Sequence, residues 1–287
     1  MTTTRQLEFH NPNSDLASFR FLITDMDGVL WRSKEPMPGL VDFFKFLREH
    51  SIQFTCATNN SSTAPQKIAD RLRSFGTDVT SAEIVTSSSA TADYLTTSLP
   101  AGSKVYVIGL DGLRTAVIER GFVISEDDAV AVVVGIDWNL TYHQIKQAAR
   151  LIRGGAKFIG TNADATFPAA EGIIPGAGSI LAAIETASGV KPIVIGKPEA
   201  VLYAMAMQCM QAQADQTVVL GDRLETDILG AVRLNLKSIL VLSGVTTRQQ
   251  LLASDYQPDW IFEDITDLKN HWASAILNHI ADQNESA

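Results

Sequence analysis

Short apolar runs alternate with longer amphipathic segments along most of the chain. Residues 21–23 form such a run, and an apolar stripe at helical spacing follows at Leu40, Phe43, Phe44 and Leu47. Short apolar runs are typical of buried strands, while apolar side chains three and four positions apart are typical of helices that cover a sheet. The alternation therefore predicts an α/β protein with a mainly parallel sheet covered on both faces.

The same pattern gives the remaining elements. Strands are predicted at residues 21–25, 52–57, 83–85, 104–110, 129–136, 156–160, 192–195, 217–220, 238–242 and 259–262. The stripe at 40–47 predicts one helix, and further helices are predicted at residues 64–75, 88–99, 112–120, 142–153, 176–187, 199–211, 226–236 and 265–280. A break at residues 100–102 starts a second alternation. We predict a doubly wound core from residues 1–100 and 191–287, a smaller α/β domain inserted at 101–190, and a loosely held arm at 1–19.

Composition narrows the class of protein. The 287 residues are 46% hydrophobic, which provides a sizeable core, and 23 Lys and Arg stand against 32 Asp and Glu, a net charge of −9. This balance opposes general nucleic-acid binding. The polar first 20 residues, and a longest apolar run that spans only 129–134, predict a cytoplasmic protein without a membrane partner. Cys56 and Cys209 lie in apolar segments and are predicted to be reduced core residues.

Polar side chains follow directly on apolar strands at several places. They are Asp25 with Asp27, Thr58 with Asn59 and Asn60, Lys197, and Asp222 with Asp227. In an open parallel sheet, ligands bind outside the carboxyl ends of the strands, where the strand order reverses. Clusters that are far apart in sequence are therefore expected to meet at one edge.

The residue types suit a phosphoryl group beside a divalent cation. Three acids at one edge make a magnesium site that retains waters and a phosphate oxygen. The hydroxyl of Thr58, the backbone N–H of Asn59 and the ammonium of Lys197 are donors for phosphate. A carboxylate there can form an aspartyl-phosphate. For Asp227 another interpretation stays open, because the helix dipole favours acids in a first turn.

The order D-x-D-G-V, T-N-N, K-P and G-D-x-x-x-T-D resembles the haloacid dehalogenase superfamily of phosphatases, over about residues 21–262. The insert between the second and third motifs is similar to the class IIA branch, the NagD-like and 4-nitrophenyl phosphatase-like proteins. The resemblance implies a Rossmann-like catalytic core with an inserted α/β cap domain. It also implies a Mg²⁺-dependent phosphoric monoester hydrolase for small phosphorylated metabolites, with homodimers in many members.

The resemblance also implies a role for each motif residue. Asp25 would be the nucleophile and Asp27 the general acid and base. Mg²⁺ would be bound by Asp25, the backbone carbonyl of Asp27, and Asp222, while Asp227 would orient the metal site or Lys197. The groups that hold the phosphate would come from Thr58, Asn59, Asn60 and Lys197.

A polar loop at residues 161–168 follows the predicted strand at 156–160. One interpretation is a turn rich in Asn and Asp. The other, implied by the resemblance, is a cap loop that faces the active site and selects the substrate through Asn162, Asp164 and Phe167. Asp164 would disfavour a second anionic group, and Phe167 offers an apolar contact. Ala163 stands where many relatives have proline.

Two other functions stay open. A binding or regulatory protein could use the same scaffold without catalysis, because a fold does not fix a function. A phosphomutase would retain a phospho-sugar for return transfer. Mutases of this superfamily usually carry a helical cap between the first two motifs, but only about 30 residues separate them here, room for one crossover helix. The intact set of Asp25, Asp27, Lys197 and Asp222 favours the hydrolase.

Overall fold

The computed structural model describes residues 16–169 and 172–285. The strands in these ranges are β1 (Phe21–Thr24), β2 (Trp31–Arg32), β3 (Glu35–Pro36), β4 (Gln53–Thr58), β5 (Ile84–Thr86), β6 (Lys104–Ile108), β7 (Val123–Ile124), β8 (Ala131–Val134), β9 (Lys157–Gly160), β10 (Thr166–Ala169), β11 (Gly172–Pro175), β12 (Ile193–Val194), β13 (Thr217–Gly221), β14 (Lys237–Val241) and β15 (Trp260–Phe262). The α-helices are α1 (Leu40–Glu49), α2 (Pro65–Ser74), α3 (Ser87–Ser98), α4 (Asp111–Glu119), α5 (Tyr142–Arg153), α6 (Ala177–Ser188), α7 (Ala200–Met210), α8 (Leu229–Arg233), α9 (Arg248–Ala253) and α10 (Ile265–Glu285).

The chain divides into two compact units. The first unit runs up to Phe54 and resumes at Met210, and the second unit is Thr55–Cys209. Of the predicted arm at residues 1–19, the part up to residue 15 lies outside the described residues, and Leu16–Ser18 form a short 3-10 helix. The division into a core and an inserted domain at 101–190 stays a prediction.

Parallel strands in the order β15-β14-β13-β1 form the sheet of the first unit, with the first residues of β4 beside β1. The backbone N–H of Gln53 donates to the carbonyl of Arg20 at 2.9 Å. All residues of β13 are buried, as expected for a strand covered on both faces. The helices α1 and α10 belong to this unit, and the predicted apolar stripe of α1 is buried.

The second unit contains a separate parallel sheet in the order β12-β9-β8-β6-β7, and the parallel pair formed by the end of β4 with β5. Its central strand β8 is buried throughout and packs against apolar side chains of α5 and α6. An antiparallel hairpin, β10–β11, follows the loop after β9. Helices alternate with parallel strands in both units, which confirms the predicted α/β class.

Some local features differ from the sequence-based expectations. The hairpins β2–β3 and β10–β11, strand β7 and helix α9 were not predicted, because most of these segments are too short to show a period. The predicted helix at 226–236 is a π-helical turn at Leu224–Ile228 followed by α8. Both cysteines are free and Cys56 is buried, as predicted, but the predicted core position of Cys209 is wrong. Cys209 lies in the last turn of α7, where it is partly exposed to solvent. Among the described residues, no helix has the length and apolar character needed to cross a membrane.

Candidate active site

Three carboxylates of the first unit come together because β1 and β13 are parallel neighbours. Thr24 pairs with Leu220 in that register, so Asp25 and Asp222 leave the same edge of the sheet, and the Asp25 N–H donates to the Leu220 carbonyl at 2.8 Å. Asp227 follows in the π-helical turn. Carboxylate oxygens of Asp25, Asp222 and Asp227 all lie within 4.8 Å of one another. We call these residues the acid group.

Asp222 is enclosed by backbone. Its Oδ2 accepts the Val245 N–H at 2.7 Å, and its side chain is fully buried. A Cβ at Gly28 would lie 2.5 Å from this oxygen, and a Cβ at Gly244 would lie 1.9 Å from it. Gly28 also has a φ of +86°, a conformation that L side chains rarely adopt. A side chain at either position would therefore clash with the Asp222 carboxylate.

Asp227 is also packed tightly at the end of β13. Its Oδ2 accepts the Arg223 N–H at 3.2 Å and the Thr226 hydroxyl at 3.4 Å. A Cβ at Gly221 would lie 2.2 Å from the Cβ and Cγ of Asp227. Asp227 lies in the first helical turn, as the helix-dipole interpretation expects, and its carboxylate also belongs to the acid group. The two interpretations of this residue are compatible.

The carboxylate of Asp27 is hydrogen-bonded to Trp31. Asp27 Oδ1 accepts the indole N–H of Trp31 at 2.6 Å, and the Asp27 side chain is exposed. The alternation of a strand would place Asp25 and Asp27 on one face, but β1 ends at Thr24 and the chain turns at Gly28. The Asp27 side chain is therefore oriented by the turn and by Trp31.

The acid group fits a small divalent cation. Oxygens that surround Mg²⁺ at about 2.1 Å are about 3.0 Å apart as neighbours and about 4.2 Å apart across the ion. The carboxylate oxygens of the acid group all lie within 4.8 Å of one another, an upper limit slightly above these separations. Carboxylate oxygens are the ligands that hard cations prefer, and a cation would also relieve the repulsion among three adjacent acids.

In the second unit, Asn59 is bound to the backbone of Lys197. Its Oδ1 accepts the Lys197 N–H at 2.7 Å, and its Nδ2 donates to the Lys197 carbonyl at 2.9 Å. Nδ2 also donates to Oδ2 and Oδ1 of Asp164 at 3.1 and 3.3 Å. Gly196 makes room, because a Cβ there would lie 2.5 Å from Asn59 Oδ1. The Asn59 side chain thus fixes the segment that carries Lys197, which is 3% exposed.

Thr58 and Asn60 shape the turn after β4. The Thr58 hydroxyl oxygen accepts the Asn60 N–H at 3.1 Å, and Asn60 Oδ1 accepts the backbone N–H and the hydroxyl of Ser62, both at 2.8 Å. In these bonds Thr58 and Asn60 act only as acceptors, through their side-chain oxygens. Both side chains also carry donors, which are the hydroxyl proton of Thr58 and the amide protons of Asn60.

The loop after β9 lies beside Lys197 because β9 and β12 are paired. The Gly196 N–H donates to the Thr161 carbonyl at 2.8 Å, which extends this pairing. Asn162, which is 5% exposed, donates from Nδ2 to Asp164 Oδ2 at 2.8 Å. Asp164 therefore accepts hydrogen bonds from both Asn162 and Asn59. Sequence reasoning missed this connection between the loop at 161–168 and the T-N-N motif.

Phe167 is half-buried in β10 and contacts Trp138. The ring centroids are 6.5 Å apart with planes at 56°, and Trp138 is 58% exposed. Sequence reasoning also missed Trp138. The available signal was an aromatic residue just beyond the predicted strand at 129–136.

Two family models match this chain. Residues 22–123 match the haloacid dehalogenase-like hydrolase model, and residues 194–268 match a second model described as haloacid dehalogenase-hydrolase-like. The matches include the segments that carry Asp25, Asn59, Lys197 and Asp222.

Curated relatives align over most of the chain. An acid sugar phosphatase of Staphylococcus saprophyticus is 32% identical over 254 residues, which cover 88% of this chain and 98% of the relative. A dihydroxyacetone phosphatase of Corynebacterium glutamicum is 36% identical over 250 residues, which cover 87% of this chain and 90% of the relative.

Solved structures have the same fold. A 4-nitrophenylphosphatase from Thermotoga maritima has a TM-score of 0.85 and 34% identity, with 89% of this chain and 98% of that chain covered. NagD from E. coli has a TM-score of 0.81 and 33% identity, with 87% and 98% covered. A glycerol phosphate phosphatase from Mycobacterium tuberculosis in complex with magnesium has a TM-score of 0.82 and 32% identity, with 88% and 77% covered. The chain therefore belongs to the haloacid dehalogenase-like hydrolases, among the phosphatases that resemble NagD and 4-nitrophenylphosphatase.

Proposed function

We propose that this protein is a Mg²⁺-dependent phosphatase that hydrolyses small phosphate monoesters through an aspartyl-phosphate intermediate. The observation that carries the proposal is the acid group, whose carboxylate oxygens lie within 4.8 Å of one another at the ends of two parallel strands. Asp222 and Asp227 are buried and Asp25 is half-buried. Such close, largely desolvated carboxylates are expected of a cation site and not of a solvated surface.

In this proposal Asp25, Asp222 and the backbone carbonyl of Asp27 hold Mg²⁺, and Asp227 orients the site through its position beside them. When bound, the cation neutralises negative charge on the phosphate and on the attacking carboxylate. The two hydrogen bonds that Asp227 accepts keep its carboxylate at the end of β13. Asp222 is held by the Val245 N–H in the same way.

Asp25 is the proposed nucleophile. Its carboxylate oxygen attacks phosphorus, the bond from phosphorus to the ester oxygen breaks, and Asp27 gives a proton to the leaving alcohol. Asp27 then takes a proton from water, whose oxygen attacks the aspartyl-phosphate and releases phosphate and the free Asp25 carboxylate. The hydrogen bond from Trp31 holds Asp27 in one orientation for both transfers.

Lys197, Thr58, Asn60 and the backbone N–H of Asn59 are the proposed phosphate-binding groups. Lys197 supplies a positive charge, and the others supply hydrogen-bond donors. The side-chain amide of Asn59 is occupied with Lys197 and Asp164, which leaves the backbone N–H as its donor for phosphate. This arrangement favours a role for the Asn59 side chain in holding Lys197 in place.

We propose that the predicted cap domain at 101–190 selects the substrate through its loop at 161–168. Asn162 and Asp164 anchor this loop by hydrogen bonds, and Phe167 presents an aromatic ring. The names of the relatives include sugar, dihydroxyacetone and glycerol phosphate phosphatases and a 5'-nucleotidase. Sugar phosphates, glycerol phosphate, phosphoglycolate, nucleoside monophosphates and pyridoxal phosphate are the proposed substrate class.

The proposal includes a cytoplasmic location, action on small metabolites without nucleic-acid or membrane partners, and a homodimer. The acidic balance of the sequence supports the absence of nucleic acid. Light scattering on the purified protein measures the oligomeric state, and a mass of about 31.1 kDa would reject the dimer.

The test is phosphate release from 4-nitrophenyl phosphate with and without Mg²⁺, for the wild type and Asp25→Asn. We expect turnover that requires Mg²⁺ and is lost in the variant. Equal activity of the Asp25→Asn protein would reject the mechanism. Binding of an ester without turnover would indicate a regulatory protein, and return of the phosphoryl group to a sugar would indicate a phosphomutase.

A further inference from the structure

We propose that the segment at residues 243–246, here called the 243–246 loop, sets the position of Asp222 relative to Asp25, and that Ser243 is its positioning residue. This inference rests on the proposed metal site. Residues 243–246 lie outside the four sequence motifs. Their contacts with Asp222 and with the segment after Asp25 all lie within the first unit.

The 243–246 loop wraps around Asp222. The Val245 N–H donates to Asp222 Oδ2 at 2.7 Å, and the Thr246 N–H donates to the Asp222 carbonyl at 3.1 Å. Gly244 lies so close that a Cβ there would overlap the carboxylate. The loop therefore contacts both the backbone and the side chain of Asp222.

The same loop is attached to the segment that follows Asp25. The Ser243 hydroxyl donates to the carbonyl of Gly28 at 2.7 Å, and the guanidinium of Arg32 donates to the carbonyl of Ser243. Ser243 is 8% exposed, so its hydrogen bond is largely shielded from water. Through these bonds the 243–246 loop connects the turn after β1 to the residue after β13.

This connection bears on metal binding because Asp25 and Asp222 repel each other when the cation is absent. Mg²⁺ requires near-ideal octahedral geometry, so a site whose acids move apart binds it less tightly. Groups that hold metal ligands in place typically contribute 10- to 100-fold to metal affinity. Ser243 acts on the site through the backbone of Gly28 and the loop, without touching substrate.

A purely structural role for Ser243 makes a different prediction. In that case removal of its hydroxyl lowers stability, and the affinity for Mg²⁺ stays the same. Ser254 provides a matched control, because its hydroxyl also donates to a backbone carbonyl, that of Tyr256, at 2.8 Å in the same unit. Ser254→Ala removes this donated bond, and also the bond that the hydroxyl accepts from the Tyr256 N–H at 3.3 Å, away from the acid group.

The experiment measures the Kd for Mg²⁺ by isothermal titration calorimetry, together with thermal unfolding without metal, for wild type, Ser243→Ala and Ser254→Ala. We expect Ser243→Ala to raise the Kd about 10-fold and Ser254→Ala to leave it within about twofold. At saturating Mg²⁺, kcat/KM of Ser243→Ala should return to near the wild-type value, which a structural defect would not do. An unchanged Kd in Ser243→Ala overturns the inference.

Arg32→Ala is the second variant, because Arg32 is exposed and its removal leaves the core intact. If Ser243→Ala does not fold, a raised Kd in Arg32→Ala supports the 243–246 loop and a wild-type Kd overturns it. A wild type that binds no Mg²⁺ rejects the proposed function along with this inference. If the wild type binds Mg²⁺ and every variant has the same Kd as the wild type, this inference alone is rejected.

Discussion

The side-chain amide of Asn59 pairs with the backbone of Lys197 as a second backbone strand would. Its Oδ1 accepts the Lys197 N–H at 2.7 Å, and its Nδ2 donates to the Lys197 carbonyl at 2.9 Å. Each of the two bonds requires a different atom of the amide. A carboxylate of the same shape can accept the first bond but cannot donate the second.

Asn59→Asp should therefore lower kcat/KM strongly. The new carboxylate would face the Lys197 carbonyl and the Asp164 carboxylate, two acceptors without a proton between them, at a cost of about 2 kcal/mol. This cost corresponds to roughly a 30-fold loss of kcat/KM. Steady-state hydrolysis of 4-nitrophenyl phosphate measures it. Asn270→Asp, on the exposed face of α10, is the control, and equal rates for the two variants would contradict the pairing.

Trp31→Phe should lower kcat while KM changes little. The variant loses the indole N–H that orients Asp27, a hydrogen bond to a charged group worth about 1.5 kcal/mol, or roughly tenfold in rate. Trp272→Phe is a matched control, because the buried Trp272 indole N–H has no hydrogen-bond partner among the described residues. We expect that control to lower the unfolding temperature and to keep kcat. If kcat is unchanged in both variants, Trp31 does not orient Asp27 for proton transfer.

Gly244→Ala should abolish Mg²⁺-dependent activity, since its Cβ would lie 1.9 Å from Asp222 Oδ2. The control is Gly121→Ala. Gly121 has a φ of +83° but open space around its Cβ position, so the change costs about 1 kcal/mol of stability and leaves the site intact. Circular dichroism and Mg²⁺ titration separate loss of fold from loss of metal binding. An active Gly244→Ala protein would show that Asp222 does not need this position.

The fold was largely predictable because its signals are local. Predicted and observed bounds agree within a few residues for the apolar strands β1, β13 and β14 and for the amphipathic helix α1. Proximity of Asp25 and Asp222 also follows from the sequence, since parallel neighbouring strands end at one edge. The haloacid dehalogenase resemblance and the hydrolase class are confirmed, whereas the roles of individual site residues stay predictions.

The contacts that orient the site were not predictable, because each joins residues that no local pattern relates. Asp164 and Asn59 are 105 positions apart, and Ser243 and Gly28 are 215 apart. The hydrogen bond from Trp31 to Asp27 lies in the turn that contains Gly28, where neither a strand nor a helix period applies. The exposure of Cys209 depends on which face of α7 meets solvent, and an apolar helix gives no period to decide it.

Cys209 should react slowly with iodoacetamide at pH 7. Partial burial and the negative charge of Asp93 raise the pKa of its thiol, so less of the reactive thiolate is present at a given pH. The rate should rise only as the pH passes above the ordinary range of a thiol, and Asp93→Asn should increase the rate at pH 8. Mass spectrometry of the alkylated peptide measures the rate. A rate at pH 7 equal to that of an unstructured peptide would contradict the shift.

Asp164 and Phe167 occupy the same loop but have different partners. Asp164 is hydrogen-bonded to Asn59 and Asn162, while Phe167 contacts the exposed ring of Trp138. The carboxylate supplies a negative charge close to the proposed phosphate-binding residues, and the ring supplies an apolar surface. The two residues should therefore discriminate between substrates on different chemical grounds.

Asp164→Asn should raise kcat/KM for phosphoglycolate relative to glycerol phosphate by about tenfold, because it removes a charge that repels the second anionic group. Phe167→Ala should instead lower the value for a nucleoside monophosphate relative to glycerol phosphate by about tenfold, since a stacking surface for the base is lost. Hydrolysis of 4-nitrophenyl phosphate should persist in both. Leu277→Ala, an apolar change at a 68% exposed position of α10, should leave every ratio unchanged. If either loop variant lowers all substrates by the same factor, that residue supports the site without selecting its substrate.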